Sequence, residues 1–284
     1  QGKWDWFRLL HKHKMKLNFF REDQGSAEDQ PYFVDWCNFK NFKNHQFAAV
    51  LGSPVAHSWT PEEQRNFWQK HECNALKIDL TAEELNQEVL TFLQKLGLKY
   101  AAVTAPLKSP FNSLCTETTD IVKEIQMVNT IQLVDGKVKG TNTDYHGFKT
   151  LCESQVLPRL NKPIEEWQVA LWGGGGTLPI VKKLFPKLTH FSARTQKRSH
   201  NHSLLDKLKT HKNQFDILVW AVGRERMAQG AQFPSEDLQF TIVVDLNYTD
   251  SSPGKELAQR RGCTYISGEA MFRAQAAEQR LFWD

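Results

Sequence analysis

From Phe47 onward, short apolar runs take turns with segments of helical periodicity. This alternation constrains the fold more than any other feature, because strands that alternate with helices build α/β layers. Phe47 to Leu51 reads as a buried strand. In Thr60-Pro61-Glu62-Glu63 a capping Thr, a Pro at the first helical position and a Glu three residues after the cap predict a helix start. Ala75 to Leu80 is a second strand. Thr81-x-x-Glu84 opens a helix whose Leu85, Val89, Phe92, Leu93 and Leu96 recur at helical spacing until Gly97 ends it. Leu98 to Val103 is a third strand. Thr130 to Val134 and Lys137 to Lys139 form a hairpin, since the intervening Asp135-Gly136 tolerates the positive φ angles of a tight turn. A helix from about Tyr145 to Ser154 leads into a Pro- and Asn-bearing connection that reads as a domain junction. Beyond it come a strand at Gln168 to Trp172, a glycine turn and a helix at Leu178 to Leu184. Strands at Phe191 to Arg194, Phe215 to Trp220 and Thr241 to Leu246 alternate with helices at Ser203 to Thr210 and Lys255 to Arg261, the rhythm of a doubly wound domain. An amphipathic helix, Ala270 to Trp283, closes the chain.

The 284 residues suffice for two domains, and 40% hydrophobic with 24% charged residues is the composition of a globular protein. No apolar run reaches the roughly 20 residues that cross a bilayer, and no signal-peptide core is present, so a cytoplasmic protein is expected. Cys37, Cys73, Cys115, Cys152 and Cys263 lack metal or disulfide spacing, which predicts free thiols and no metal. A net charge of +4 is too modest to argue for nucleic acid but suits an anionic substrate. Gln1 in place of an initiator Met predicts a fragment or processed product.

Chemistry-bearing residues collect on loops where strands end. Lys108 leaves the loop after Leu98 to Val103, and Asp144 opens a helix at the end whose dipole favours an anion. Together they supply an amine and a carboxylate for acid/base work. Ser58 precedes a helix start, where backbone donors attract anions. The turn Gly173-Gly174-Gly175-Gly176-Thr177 lets a phosphate approach the backbone or simply joins strand to helix. After the next strand, Arg194, Thr195 and Arg198 stand where an acid would select NAD. Arginine without an acid favours the 2′-phosphate of NADP over a merely solvated basic loop.

The run Val50-Leu51-Gly52-Ser53-Pro54-Val55-Ala56-His57-Ser58-Trp59-Thr60-Pro61, with Ala102 to Lys108 and Gly140-Thr141-Asn142-Thr143-Asp144, resembles the shikimate dehydrogenase family. The likeness spans nearly all of Phe47 to Trp283. It implies an α/β fold with a substrate-binding domain at 44–144, completed by 268–284, and a Rossmann-like NADP-binding domain at 145–267. It implies catalytic roles for Lys108 and Asp144. Substrate contacts fall to Ser58 and Thr60 (the family's Ser-x-Ser with a hydroxyl kept), Thr104, Asn129 in Met127-Val128-Asn129-Thr130, Tyr248 in Asp245-Leu246-Asn247-Tyr248, and Gln275 in the stretch from Gly268. Taken singly, Ser58 and Thr60 also read as caps, Asn129 as a strand end, Lys108 as a solvated lysine and Asp144 as an N-cap. Cofactor contacts fall to Gly173, Gly174, Gly175, Gly176 and Thr177, similar to Gly-Ala-Gly-Gly-Ala, to Arg194, Thr195 and Arg198, similar to Asn-Arg-Thr-x-x-Arg, and to Met271. The implied activity is reversible NADP-linked reduction of 3-dehydroshikimate to shikimate in aromatic amino acid biosynthesis, with quinate as a secondary substrate.

Residues 1–43 read either as a basic amphipathic run with a polar linker or as the end of a type I 3-dehydroquinate dehydratase, whose Ser-Ala-x-x-Gln pattern matches Ser26, Ala27 and Gln30. The second reading implies a covalent or associated dehydratase as partner. The chain departs from the family pattern at Ala193 and at Trp220-Ala221-Val222-Gly223-Arg224, where the family has Asn-Ala-Thr-x-x-Gly. Both departures fall on the cofactor half and keep a different class open, a non-catalytic sensor of shikimate-pathway metabolites. Lys108 and Asp144 argue for the enzyme, since a pure binder needs no acid/base pair.

Overall fold

A computed structural model describes residues 4–23, 27, 29–193, 213–223, 227, 230–231, 233, 236–248 and 252–284. The chain divides into two compact units, Gln1–Thr143 with Gln279–Asp284, and Asp144–Glu278. Among the described residues no helix is long and apolar enough to cross a membrane.

The first unit is built on a six-stranded sheet. Its strands are β1 (Phe47–Gly52), β2 (Asn74–Asp79), β3 (Leu98–Val103), β4 (Glu117–Thr118), β5 (Thr130–Val134) and β6 (Lys137–Thr141), in the order β2-β1-β3-β5-β6-β4. β1 runs parallel to β2 and β3, while β5 is antiparallel to β3 and β6. All six residues of β1 are buried, and the two-residue period of a strand divides them. Phe47, Ala49 and Leu51 join Leu76, Ile78 and Val103 in one core, whereas Ala48 packs with Phe67, Trp68, Tyr100 and Trp283. Each fully buried Phe or Leu contributes about 1.5–3 kcal/mol.

Among the described residues, short helices surround or leave this sheet: α1 (Asp5–Leu10), α2 (Phe33–Asn38), α3 (Thr60–Glu63), α4 (Arg65–Lys70), α5 (Gln87–Lys95), α6 (Asp120–Ile125) and α7 (Asp144–Leu151), the last beginning the second unit. Trp6 and Leu9 of α1 enter the same core as β1, so the first residues pack as part of this unit. Two helix starts differ from the sequence reading. α5 begins at Gln87 behind Asn86, whose Oδ1 accepts the Val89 N–H at 2.9 Å, while the Thr81 signal makes only a turn in which Glu84 accepts the Thr81 N–H. At α3 it is Ser58 Oγ that accepts the Thr60 N–H, at 3.3 Å.

The second unit carries a five-stranded, all-parallel sheet. Its strands are β7 (Val169–Gly173), β8 (Thr189–Phe191), β9 (Ile217–Ala221), β10 (Ile242–Asp245) and β11 (Thr264–Ser267), in the order β11-β10-β9-β7-β8. β8 ends at Phe191 instead of starting there, because its partner residues Ala170 to Trp172 pair with Thr189 to Phe191. Further helices are α8 (Leu157–Leu160), α9 (Leu178–Leu184), α10 (Pro253–Arg261) and α11 (Glu269–Trp283). The expected helix at Ser203 to Thr210 lies outside the described residues.

Candidate active site

The antiparallel joins of β5 place the exits of β1, β3 and β6 beside the entrance of β5, on one edge of the first unit's sheet. The Val103 N–H donates to Asn129 O at 2.7 Å, and the Thr104 N–H to Leu51 O at 2.9 Å. Gly52 makes room for this approach. A Cβ there would lie 2.4 Å from Thr104 Cγ2 and 2.7 Å from Ala105 O, so β1 must end in glycine for the Thr104 loop to lie across it. Leu107 N–H returns to Thr104 O, and Lys108 O accepts the Val128 N–H at 2.8 Å. Thr104 and half-buried Lys108 therefore sit on a short loop tied at both ends, with Asn129 next to its root. Ser58 lies on the loop leaving β1, its N–H on Val55 O, and Thr60 follows it into α3. His57 is exposed on the same loop.

Asn129 is buried, and its side chain works inside the protein. Its Oδ1 accepts the Thr143 N–H at 2.8 Å and the Thr130 hydroxyl at 2.9 Å, and its Nδ2 donates to Thr143 Oγ1 at 3.0 Å. The sequence reading gave Thr143 no such part, since the hairpin register pairs Thr130 with Thr141 and leaves Thr143 beyond the paired residues.

In the second unit, buried Asp144 opens α7, one turn before Gly147. A Cβ on Gly147 would lie 2.6 Å from Met271 O and 3.0 Å from Gln275 Cβ. The glycine thus brings α7 and α11 into backbone contact and sets Met271 and Gln275 beside the helix that carries Asp144. Tyr248 stacks on Phe272 with ring centroids 4.9 Å apart. Burial pushes its phenol above the ordinary range, and the Asp144 carboxylate pushes the same way. Lys108 and Asp144 belong to different compact units.

The glycine turn follows β7. Gly173 has φ +91°, and a Cβ would meet Val222 Cγ2 at 2.6 Å; at Gly174, φ +128°, it would meet Leu178 Cβ at 2.9 Å. Gly175 has φ +45° with nothing within 4 Å of a Cβ position, so a ligand can come close to this backbone. Gly176 and Thr177 complete the turn, with the Thr177 N–H on Gly174 O. His190 Nε2 lies 2.6 Å from Gly173 O and braces the turn from β8, a contact the sequence reading missed. A glycine cradle after the first strand of an all-parallel sheet fits a dinucleotide phosphate. Arg194, Thr195, Arg198 and Arg224 lie outside the described residues. The described residues hold no cluster of three or more His, Cys, Asp or Glu able to bind a metal.

A parallel, doubly wound unit with a glycine turn at β7, and a mixed-sheet unit with Thr, Lys and Asn at one strand edge, make a two-unit α/β protein whose second unit fits a dinucleotide phosphate. Residues 50–131 match the family model of the shikimate dehydrogenase substrate binding domain. The chain is 27% identical over 271 residues to a shikimate dehydrogenase (NADP(+)) of Prochlorococcus marinus strain MIT 9515, covering 84% of this chain and 92% of that one. It is also 27% identical over 257 residues to the protein of that name in Acinetobacter baylyi, covering 83% and 94%. In fold it is similar to shikimate dehydrogenase 1 from Peptoclostridium difficile, with a TM-score of 0.68 at 20% identity over 84% of this chain and 91% of that one. It is similar too to shikimate 5-dehydrogenase from Thermus thermophilus, a structure in complex with NADP(H) and shikimate, with a TM-score of 0.64 at 23% identity over 84% and 93%. Over most of its length the chain is thus similar to shikimate dehydrogenases, and residues 50–131 carry the match to their substrate binding domain.

Proposed function

We propose that this protein catalyses the reversible NADP-linked reduction of 3-dehydroshikimate to shikimate, a step of aromatic amino acid biosynthesis, in the cytoplasm. The observation that carries this reading is the strand edge of the first unit, where backbone bonds tie Thr104 to Leu51, Lys108 to Val128 and Asn129 to Val103. Thr104, Ser58 and Thr60 offer hydroxyls to a polyol, and Lys108 offers the ammonium its carboxylate and carbonyl require. In this reading the first unit, Gln1–Thr143 with Gln279–Asp284, is the substrate domain and the second, Asp144–Glu278, the nucleotide domain, with Tyr248 and Gln275 read as substrate-binding and Asp144 as the second catalytic group.

When bound, NADPH would supply the hydride that reduces the ring ketone. Gly173 to Thr177 would cradle its pyrophosphate, Arg194, Thr195 and Arg198 its 2′-phosphate end, and Met271 its reactive end. Charge that develops on the ketone oxygen is stabilised by the Lys108 ammonium, which donates the proton. Hydroxyl and amide partners select the polyol, because a site built to bond hydroxyls rejects analogues that lack them.

Ala27 and Gln30 with Ser26 further suggest the end of a type I dehydroquinate dehydratase, and hence a dehydratase domain as covalent or associated partner. These 284 residues alone should leave 3-dehydroquinate untouched.

Following NADPH absorbance with 3-dehydroshikimate tests the function. Turnover with NADPH exceeding that with NADH supports it. Shikimate binding without turnover would replace it with the sensor reading, which the apolar Trp220 to Val222 turn keeps in play.

A further inference from the structure

In the second sheet the chain runs from β7 out to β8 and returns to β9 on the other side of β7, so the strand order reverses between β7 and β9. Open α/β sheets bind ligands outside the carboxyl ends of their strands at such a point. Here that crevice is floored by Gly173 from β7 and by the turn Ala221 to Gly223 from β9. The two touch: a Cβ on Gly173 would lie 2.6 Å from Val222 Cγ2 and 2.9 Å from Ala221 O. Val222 therefore packs directly against the glycine turn.

Ala221, Val222 and Gly223 have no polar side chain with which to hold their own turn. The Val222 carbonyl instead accepts two donors, Trp220 Nε1 at 2.8 Å and Asn247 Nδ2 at 3.1 Å, which occupies both of its lone pairs. Asn247 stands just past β10 and is itself held. Asp245 Oδ1 accepts the Asn247 N–H at 2.9 Å and Asn247 Nδ2 at 2.8 Å, so both amide hydrogens of the side chain are committed. Asp245 is fully buried. Gly254 packs so closely that a Cβ there would lie 2.5 Å from Asp245 Oδ2, and the Tyr265 hydroxyl reaches that oxygen at 3.5 Å. The chain of bonds runs from a fixed carboxylate through one side-chain amide to the turn that floors the crevice.

We infer that Asn247, oriented by Asp245, is a positioning residue for dinucleotide binding: it holds the Val222 carbonyl away from the crevice and keeps the turn after β9 clear of the glycine cradle. This rests on the reading of the second unit as the NADP-binding one. Asn247 touches no reacting atom in this account and acts only through Val222.

Asn247→Asp keeps the shape but replaces the donor with an oxygen facing both Asp245 and the Val222 carbonyl. Asn247→Ala removes the group altogether. Calorimetric titration of the full chain with NADP⁺ alone, and separately with shikimate alone, well below each variant's melting temperature, reads the effect. The expected result is NADP⁺ binding weakened about tenfold in Asn247→Ala and more in Asn247→Asp, with shikimate affinity changed by less than about twofold. Variants that melt earlier yet bind NADP⁺ as the wild type does would reduce Asn247 to a stability role and overturn the inference. Failure of the wild-type chain to bind NADP⁺ would overturn the functional reading, and this inference with it.

Discussion

The Asn129 carboxamide closes on Thr143 with two bonds, accepting its N–H at 2.8 Å and donating to its hydroxyl at 3.0 Å. Asn129 begins the hairpin and Thr143 follows its end, so the pair clasps the segment that runs on into Asp144. Asn129→Ala leaves the buried Thr143 N–H and Thr130 hydroxyl without this acceptor. The expected loss is about 1–3 kcal/mol in urea unfolding, with weaker shikimate binding. Asn129→Asp, which keeps the acceptor and loses one donor, should lose less. An Asn129→Ala protein as stable as the wild type would contradict the clasp.

Gly147→Ala pits two effects against each other. Alanine favours a helix interior by about 0.8–1 kcal/mol over glycine. The added methyl would lie 2.6 Å from Met271 O, a backbone atom that cannot swing aside. Overpacking of this kind costs about 1–3 kcal/mol, so a net loss of stability is expected. Thermal melting checks it; a higher melting temperature would show that α7 and α11 separate at little cost.

Thiol labelling should be selective. Cys37 is exposed, whereas burial pushes the Cys73 thiol up to about 11 and Cys115 to about 12, and raises that of Cys152 as well. At mildly alkaline pH a thiol reagent should modify Cys37 rapidly and these three only on unfolding. Fast labelling of Cys73 or Cys152 in the folded protein would contradict the packing.

Asp245 carries a signed pH dependence. Burial raises its carboxyl above the ordinary range, outweighing the hydrogen bonds from Ser252, Asn247 and Tyr265. The folded chain then holds that proton more tightly than the unfolded one, so this group's contribution is full at low pH and is lost as pH rises through its folded value. The melting-temperature difference between wild type and Asp245→Asn should therefore move in favour of the wild type from about pH 7 to about pH 5. Movement the other way would show that the hydrogen bonds dominate.

Phe47 to Leu51, Leu98 to Val103 and Leu178 to Leu184 were legible because local pattern alone fixes them: continuous apolar runs bounded by turn residues, or a helix with Pro in its first turn. The helix start at Asn86 was hidden behind the Thr81-Glu84 signal, which satisfies one amide without starting a helix. β4 and β11 escaped notice as short strands at sheet edges whose pairing comes from partners distant in sequence. Within the site, the loop position of Lys108 followed from the strand that ends at Val103, whereas Thr104 was singled out only by the family resemblance. The Asn247 bond to Val222 and the Tyr248 stack on Phe272 join separate elements, so no local window could contain them.

The most direct test of the central claim follows NADPH absorbance with 3-dehydroshikimate for the wild type and Lys108→Ala, alongside shikimate binding to each. Reductase activity in the wild type is expected, with kcat falling about 10²–10⁴-fold in Lys108→Ala while shikimate affinity weakens far less, because a lost general acid acts mainly on the transition state. Full turnover by Lys108→Ala would contradict the assignment of Lys108, and shikimate binding without any turnover by the wild type would contradict the enzyme itself.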